Sequence, residues 1–161
     1  MAYNIPGRTS TLIELETLQT LVDDIGIHSI KDAVGDFEFS KKQLELLKDK
    51  ADIYSGNDNQ TYDFVINGGV GVVSVASHVV GDEISEMISF AKDNDLEKAE
   101  EINMQLSNLF EAIFEEPSPG PIKKILSESW EEVGEPLLPI TSITPELANK
   151  IRGFYKKIKE N

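Results

Sequence analysis

Apolar residues along the chain follow two spacings, one typical of β-strands and the other typical of α-helices. Four short runs rich in β-branched and aromatic residues predict strands, at residues 2–5, 25–31, 51–55 and 71–76. Between these runs, apolar residues recur every three or four positions and predict amphipathic helices, at residues 14–24, 37–50 and 60–67. Strict alternation of strand and helix is typical of a parallel α/β sheet.

The fourth predicted strand is apolar almost throughout, with Val70, Val72, Val73 and Val75. Strands that a parallel sheet buries on both faces have such continuous apolar runs, so we expect this strand to be covered on both sides. The strand ends are regularly spaced as well. Set at Tyr3, Lys31, Ser55 and Ser74, they lie 28, 24 and 19 residues apart, and a (βα)8 barrel uses about 30 residues per unit.

After the fourth strand the pattern becomes helical. Helices are predicted at residues 82–93, 96–114 and 122–132 and from residue 145, with a proline-rich break at 117–121. Asp36 and Thr144 are placed to act as helix N-caps. Four βα units do not complete an eight-stranded barrel, so the chain is either an open four-stranded sheet with a helical tail or half of something larger.

The composition narrows the class of protein. The formal net charge is −14 at pH 7, which argues against a nucleic-acid partner because phosphate binding needs a basic surface. With no cysteine, disulfides, zinc–thiolate sites and cysteine nucleophiles are excluded. No apolar run approaches the ~18 residues of a membrane span, and the first residues do not resemble a signal peptide. We expect a cytoplasmic protein without membrane contact.

Lys31 is the first candidate for chemistry. It ends the second predicted strand, where alternation places Ile27, Ser29 and Lys31 on one face, and parallel α/β folds place their sites at the carboxyl ends of strands. Burial there would favour a neutral amine, which can attack a ketone. A lysine whose amine simply reaches solvent is the alternative, and the residues alone favour that alternative.

Tyr3 and Arg8 flank a turn after the first predicted strand, with Pro6 and Gly7 between them. A tyrosine at this place can transfer protons, and an arginine can bind a carboxylate through two parallel hydrogen bonds. A packed ring and a surface guanidinium are the alternatives, which the residues alone again favour.

Other features have ordinary structural interpretations. Gly68 and Gly69 precede a strand, whereas phosphate-binding glycines follow one, so this pair indicates a helix end and a turn. His28 and His78 lack a spacing suited to a metal site or a catalytic triad.

Five motifs, in the same order, resemble those of the dihydrodipicolinate synthases. Residues 3–9, Tyr-Asn-Ile-Pro-Gly-Arg-Thr, are similar to the family's Tyr-Asn-x-Pro-x-Arg-Thr stretch, and residues 30–36 contain its Lys-[Glu/Asp]-Ala segment with the Schiff-base lysine. The other three are Ser-Gly-Asn-Asp at 55–58, Gly-Val-Val-Ser-Val at 71–75 and Glu-Pro-Ser-Pro-Gly-Pro-Ile-Lys at 116–123.

The resemblance implies a fold. Family members are TIM (βα)8 barrels roughly twice as long as this chain, and the matching motifs begin in the middle of theirs. The implied architecture is the second half of such a barrel, strands five to eight with their helices, plus a C-terminal helical extension. On this basis residues 1–94 form a half-barrel of four βα units, and residues 95–161 form the extension.

The resemblance also implies an activity, the condensation of pyruvate with L-aspartate 4-semialdehyde to 4-hydroxy-tetrahydrodipicolinate in lysine and diaminopimelate biosynthesis, with no metal or cofactor. Lys31 would form the Schiff base with pyruvate and Tyr3 would relay protons. The implied substrate contacts are Arg8 for the semialdehyde carboxylate, the Val73 carbonyl for bound pyruvate and, on weaker grounds, Gly56 and Asn57.

Part of the family's site has no match in this chain. The second relay tyrosine, the relay threonine, the Thr-Thr pair that binds the pyruvate carboxylate and any residues for feedback regulation belong to the unmatched half. We therefore expect little activity from this half alone, and either a homo-oligomer or pairing with a complementary N-terminal half-barrel. A non-catalytic, self-associating half-barrel is the alternative.

Half of a sugar-acid aldolase related to N-acetylneuraminate lyase is a second alternative. That relative keeps the tyrosine and the lysine but typically lacks the arginine of the first motif, so Arg8 favours the synthase. The sequence departs from the synthase pattern at residues 136–142, where an arginine is absent. This departure affects local packing of the tail and not the chemistry.

Overall fold

The computed structural model of the protein describes residues 1–160. It consists of two compact units, the first with Met1–Ser74 and Ala91–Asn94, the second with Val75–Phe90 and the residues from Asp95 onward. All four strands that the structure shows in residues 1–160 lie in the first unit, and the second unit is helical.

The first unit is built on a four-stranded sheet in which every neighbouring pair is parallel. Its strands are β1 (Ala2–Asn4), β2 (Ser29–Asp32), β3 (Asp52–Ser55) and β4 (Gly71–Val72), and they lie in that order across the sheet. The predicted parallel α/β sheet is thereby confirmed. A strand order that follows the chain order is also the order in a (βα)8 barrel.

β4 is shorter and less covered than predicted. Only Gly71 and Val72 form ladder pairs, Val70 and Val72 are half-buried, and Val73 is 38% exposed. The expected burial on both faces is wrong for this strand, as the exposed side chain of Val73 shows.

Short helices connect the strands. They are α1 (Pro6–Thr9), α2 (Leu15–Asp23), α3 (Phe37–Leu46), a 3₁₀ turn (Asp58–Gln60) and α4 (Thr61–Ile66). Asp36 caps α3 as predicted, since its carboxylate accepts hydrogen bonds from the N–H groups of Glu38 and Phe39 at 3.0 and 3.3 Å. Gly68, with φ +101°, lies in the turn after α4, which confirms the predicted helix end.

The helices of this unit pack on one face of the sheet. Ile30 and Ile53 are ladder partners on that face. The core around them consists of Leu18, Val22, Ile30, Leu44, Leu47, Ile53 and Phe64. Each such side chain contributes about 1.5–3 kcal/mol when it is fully buried. Along each strand, the residues on either side of these core positions point to the opposite face of the sheet.

The second unit is formed by long helices. They are the first part of α5 (Ser77–Lys92), α6 (Leu96–Ala112), α7 (Gly120–Ser129) and α8 (Pro145–Lys159). α5 begins before residue 82, its predicted start, and the backbone at Val80 inside it is not helical. Thr144 caps α8 as predicted and accepts a hydrogen bond from the Leu147 N–H at 3.4 Å. No helix within residues 1–160 is long and apolar enough to cross a membrane.

Candidate functional site

Tyr3 and Lys31 lie side by side in the carboxyl-terminal parts of β1 and β2. They are ladder partners, and the Lys31 Nζ atom lies 4.2 Å from the centroid of the Tyr3 ring. This distance is within the range of a cation–π contact. The structure therefore brings together the residues that the sequence predicts as Schiff-base lysine and proton relay.

The same register level continues across the sheet. Lys31 is the ladder partner of Tyr54, and Tyr54 is the partner of Gly71. Because side chains at one level of a parallel sheet share a face, Tyr3, Lys31 and Tyr54 line the face opposite the core. Sequence reasoning missed Tyr54, although the alternation at residues 52–55 could have placed it there, since Ile53 beside it is buried.

This face is open in the structure. Tyr3 is 45% exposed, whereas Lys31 and Tyr54 are half-buried. The side chain of Lys31 is thus partly enclosed and partly accessible to solvent. We refer to this surface, defined by Tyr3, Lys31, Tyr54 and Gly71, as the lysine face.

The next register level carries buried polar side chains. Asn4, Asp32 and Ser55 are ladder partners and are almost fully buried. Asn4 donates from Nδ2 to the Ile13 carbonyl at 2.9 Å and accepts at Oδ1 from the Ile13 N–H at 3.0 Å. Ser55 Oγ donates to the Asn57 carbonyl at 2.8 Å and accepts from the Asn57 N–H at 3.2 Å. These hydrogen bonds tie the strand ends to the loops that follow them.

Asp32 has the largest set of partners at this level. Its carboxylate accepts hydrogen bonds from the Val34 N–H at 2.9 Å, the Ser40 hydroxyl at 2.9 Å and the Gln43 amide at 3.2 Å. Burial raises the pKa of the Asp32 carboxyl, an effect that these hydrogen bonds oppose. The carboxylate ties the end of β2 to α3, on the opposite side of the strand from Lys31.

Gly56 packs directly against the Lys31 side chain. A Cβ atom at this position would lie 2.7 Å from Ala33 Cβ, 2.9 Å from the Asp32 carbonyl oxygen and 3.0 Å from Lys31 Cε. The Gly56 N–H also donates to the Asp32 carbonyl at 2.5 Å. Glycine alone allows so close an approach, so Gly56 shapes the wall beside Lys31. Its contact with substrate stays a prediction.

Val73 follows β4 directly, and hydrogen bonds fix its backbone. The Val73 N–H donates to the Ser55 carbonyl at 2.9 Å, and the hydroxyl of the next residue, Ser74, donates to the buried Asp58 carboxylate. These contacts hold the peptide that carries the Val73 carbonyl at the end of the edge strand. The contact of this carbonyl with bound pyruvate stays a prediction.

Arg8 and Asn57 differ in the availability of their side chains. Arg8 lies on α1, is exposed, and its guanidinium has no hydrogen bond or ion pair within residues 1–160. It is therefore free to bind an anion. Asn57 instead donates from Nδ2 to Gln60 Oε1 at 2.9 Å, so its amide supports the turn after β3. The substrate-binding roles of both residues stay predictions.

The two histidines show no sign of a shared site. His28 is exposed, and His78 Nδ1 lies 2.9 Å from the Val75 carbonyl oxygen. Within residues 1–160, no three histidine or acidic side chains are grouped so that they could hold a metal ion.

A known family matches nearly the whole chain. The model of the Dihydrodipicolinate synthetase family matches residues 1–158. The chain belongs to this family. The resemblance of its motifs to dihydrodipicolinate synthases is thereby confirmed.

Several relatives are enzymes named 4-hydroxy-tetrahydrodipicolinate synthase. The one from Microcystis aeruginosa is 43% identical over 158 residues, and the one from Listeria monocytogenes is 34% identical over 158 residues. Both alignments cover 98% of this chain but only 53% and 54% of the respective relative. The chain thus spans about half the length of the relatives it matches.

Solved structures of the family share the fold. Dihydrodipicolinate synthase from Cyanidioschyzon merolae, solved with lysine bound, matches with a TM-score of 0.92 at 35% identity, over 98% of this chain and 53% of that one. The synthase from Bacillus anthracis matches with a TM-score of 0.89 at 34% identity, over 96% of this chain and 53% of that one. These neighbours are TIM barrels.

Proposed function

We propose that this chain supplies the Schiff-base half of a 4-hydroxy-tetrahydrodipicolinate synthase, which condenses pyruvate with L-aspartate 4-semialdehyde. The observation that carries the proposal is the Lys31 amine, 4.2 Å from the Tyr3 ring on an open face of the sheet. Membership in the synthase family and relatives with that name support it.

Lys31 is proposed as the nucleophile. After the ammonium group gives up a proton, the amine attacks the keto carbon of pyruvate, water leaves, and an imine forms whose protonated nitrogen is an electron sink. Loss of a proton from the pyruvate methyl group then gives an enamine, and its carbon attacks the aldehyde of the second substrate. Tyr3, beside the amine, relays the protons of these steps.

The remaining predicted residues bind the substrates. The free guanidinium of Arg8 suits the carboxylate of the semialdehyde, because arginine binds carboxylates through two parallel hydrogen bonds. The Val73 carbonyl, fixed at the end of β4, is proposed to contact the bound pyruvate. Gly56 leaves room beside the Lys31 stem. Asn57 has the weakest case, since its amide is engaged with Gln60.

We infer that the lysine face needs a second half-barrel to become an efficient site. Within residues 1–160, β1 and β4 are the outer strands of the sheet, and each has a ladder partner on one side only. A barrel has no such edges, and the relatives are TIM barrels about twice the length of this chain. The complementary half-barrel can belong to the same polypeptide, a separate one or a second copy of this chain. A cytoplasmic location stays a prediction.

Chemical trapping tests the role of Lys31. Incubation with pyruvate and borohydride should add the mass of one reduced pyruvate to the chain, located on Lys31 by peptide mapping. Lys31→Arg should abolish the adduct. Lys92→Arg is the control and should not, because the Lys92 amine is engaged in a hydrogen bond to the Val70 carbonyl. An unmodified wild-type chain would remove the support for a formed Schiff-base site.

Complementation tests the need for a second half. Adding the first half of the Microcystis aeruginosa relative as a separate polypeptide should raise turnover of pyruvate and semialdehyde well above that of either part. The Lys31→Arg variant should not respond to the same addition. If the mixture forms a complex but has no turnover, the non-catalytic alternative is correct.

A further inference from the structure

The mechanism proposed above gives no role to Asp32, the residue next to Lys31. Its side chain is 2% exposed, and a buried carboxylate loses hydration that its hydrogen bonds replace only in part. An apolar residue would pack equally well here only if its buried polar partners on α3, Ser40 and Gln43, were apolar too. A buried polar cluster directly beside the candidate nucleophile therefore requires a further explanation.

Asp32 links the end of β2 to three neighbouring elements. Its carboxylate accepts from Ser40 and Gln43 of α3 at 2.9 and 3.2 Å. Its carbonyl accepts from the Gly56 N–H, in the loop after β3, at 2.5 Å. The peptide that follows it continues the ladder to β1, where the Ala33 N–H donates to the Asn4 carbonyl at 2.9 Å. Hydrogen bonds to β1 on one side and to the loop after β3 on the other thereby fix the backbone of β2 next to Lys31.

We propose that Asp32 is a positioning residue for Lys31. Its carboxylate, held by α3, keeps the end of β2 where the Lys31 amine lies over the Tyr3 ring. Lysine carries its charge on a flexible four-carbon stem, so the amine stays at one place only if its backbone is fixed. Asp32 points away from the lysine face and does not touch substrate. The catalytic consequence rests on the proposed Schiff-base function; the geometric one does not.

Three variants separate positioning from stability. Asp32→Asn keeps the size of the side chain but replaces one acceptor oxygen by an NH2 group. This group cannot accept a hydrogen bond from the donors around it, which are the Val34 N–H, the Ser40 hydroxyl and the Gln43 amide. Asp32→Glu restores the carboxylate on a longer stem. Val22→Ala is the matched control, because it removes methyl groups from the core of the same unit without touching Lys31.

The position of the Lys31 amine can be measured without any chemistry. After reductive methylation with ¹³C-formaldehyde, the Lys31 methyl signal should be displaced by the ring current of Tyr3, and it is assigned by its loss in Lys31→Arg. We expect this displacement in the wild type and in Val22→Ala, its loss in Asp32→Asn and partial recovery in Asp32→Glu. A folded Asp32→Asn with the wild-type signal would overturn the proposal.

Borohydride trapping with pyruvate then measures the consequence for reactivity. Asp32→Asn should slow trapping by about 10- to 100-fold at saturating pyruvate, since small misplacements of reacting groups cost that much, while Val22→Ala should not. If the Lys31 signal of Asp32→Asn loses its ring-current displacement while trapping stays as fast as in the wild type, the positioning role is also overturned. If the wild type is not trapped at all, the proposed function fails, and the methyl signal still decides whether Asp32 positions Lys31.

A milder change covers the case in which Asp32→Asn does not fold. Ser40→Ala removes one of the three hydrogen bonds to the carboxylate and leaves the rest. The Lys31 signal should move in the same direction by a smaller amount. An unmoved signal in this folded variant would then count against the proposal.

Discussion

At the end of β2, successive residues point to opposite faces and have different tasks. Lys31 faces the open side of the sheet beside Tyr3, while Ile30 and Asp32 face the helices. Ile30 belongs to the core, and Asp32 bonds to α3. The two-residue period of a strand thus separates the candidate nucleophile from the groups that fix its backbone.

The close approach at Gly56 makes a residue-level prediction. Gly56→Ala would place a methyl group 3.0 Å or less from Ala33, Asp32 and Lys31, and we expect a loss of about 1–3 kcal/mol in the free energy of unfolding together with slower trapping. Gly153→Ala is the matched control, because nothing lies within 4 Å of its added methyl. Inside α8 this change should stabilise by about 0.5–1 kcal/mol. Urea unfolding measures both, and equal effects would contradict the prediction.

Arg8 permits a test of substrate class. In the complemented enzyme, Arg8→Ala should raise the KM for aspartate semialdehyde by about 10- to 100-fold, the value of a charge-assisted hydrogen bond, and should leave pyruvate trapping unchanged. Arg8→Lys should recover part of the loss because it restores the positive charge. The recovery should be incomplete, since an ammonium cannot bind both carboxylate oxygens in the same way. Steady-state kinetics with each substrate varied gives the answer. An unchanged KM for the semialdehyde would favour the sugar-acid aldolase alternative.

The raised pKa of Asp32 predicts a dependence of stability on pH. Since the folded state binds a proton at Asp32 more tightly than the unfolded chain, ionised Asp32 costs stability above its folded pKa, and this cost disappears as the pH falls toward 3.8. The wild type should therefore gain stability relative to Asp32→Asn as the pH is lowered from neutrality to the unfolded-state value of 3.8. Asp23 and Asp95, whose pKa values are lowered by hydrogen bonds to Lys50 and Lys98, act oppositely but equally in both proteins. Urea unfolding at the two pH values should show the difference; a constant difference would contradict it.

At the scale of elements, α3 is the helix that supports the candidate site. Its first turn is capped by Asp36, and its next turns carry Ser40 and Gln43, which hold the Asp32 carboxylate. Its apolar residue Leu44 lies in the core under the sheet. The N-cap residue Asp36 therefore stabilises the helix that holds the end of β2, the strand that carries Lys31.

The cap of α3 can be removed on its own. Asp36→Ala should lower the free energy of unfolding by about 1 kcal/mol, because two N–H groups of the first turn lose their acceptor. Asp36→Ser keeps an acceptor at the same place and should be close to the wild type. Denaturant unfolding of the three proteins is the measurement. A wild-type stability of Asp36→Ala would mean that water replaces the cap without cost.

At the scale of the whole molecule, the sheet of the first unit has two outer strands and one open face. Its strand order, β1 to β4, leaves one side of β1 and one side of β4 without a ladder partner in the part of the chain described. Exposed Tyr3 and Val73 lie next to these edges. Such edges and apolar surface favour association with another sheet.

Association should therefore depend on concentration. Light scattering should give an apparent mass above that of one chain, rising with protein concentration, and adding the complementary half-barrel should replace this species by a one-to-one complex. The −14 net charge opposes self-association, so added salt should favour it through screening. A monomer at every concentration and salt level would contradict the role assigned to the edges.

Local signals in the sequence were enough for the elements, whereas the candidate site needed the motifs as well. Alternation, helical spacing and cap residues are properties of neighbouring residues, so the order of strands and helices, the caps at Asp36 and Thr144 and the parallel sheet were predictable. The motifs added the family. Strand position made Lys31 and Tyr3 candidates, because parallel strands bring their carboxyl ends together, but only the resemblance of the motifs favoured them over ordinary structural roles.

Only the tertiary structure decided the register and the burial of individual side chains. Register depends on how helices pack on the sheet, and it placed Tyr54 beside Lys31 and left Val73 exposed on an edge strand. Whether a polar side chain is buried depends on partners elsewhere in the chain. Asp32 meets Gln43, eleven residues away, and Gly56, and no local pattern reveals these contacts. The motifs in the sequence identified Lys31 as the candidate nucleophile, and long-range packing determined which residues hold it in place.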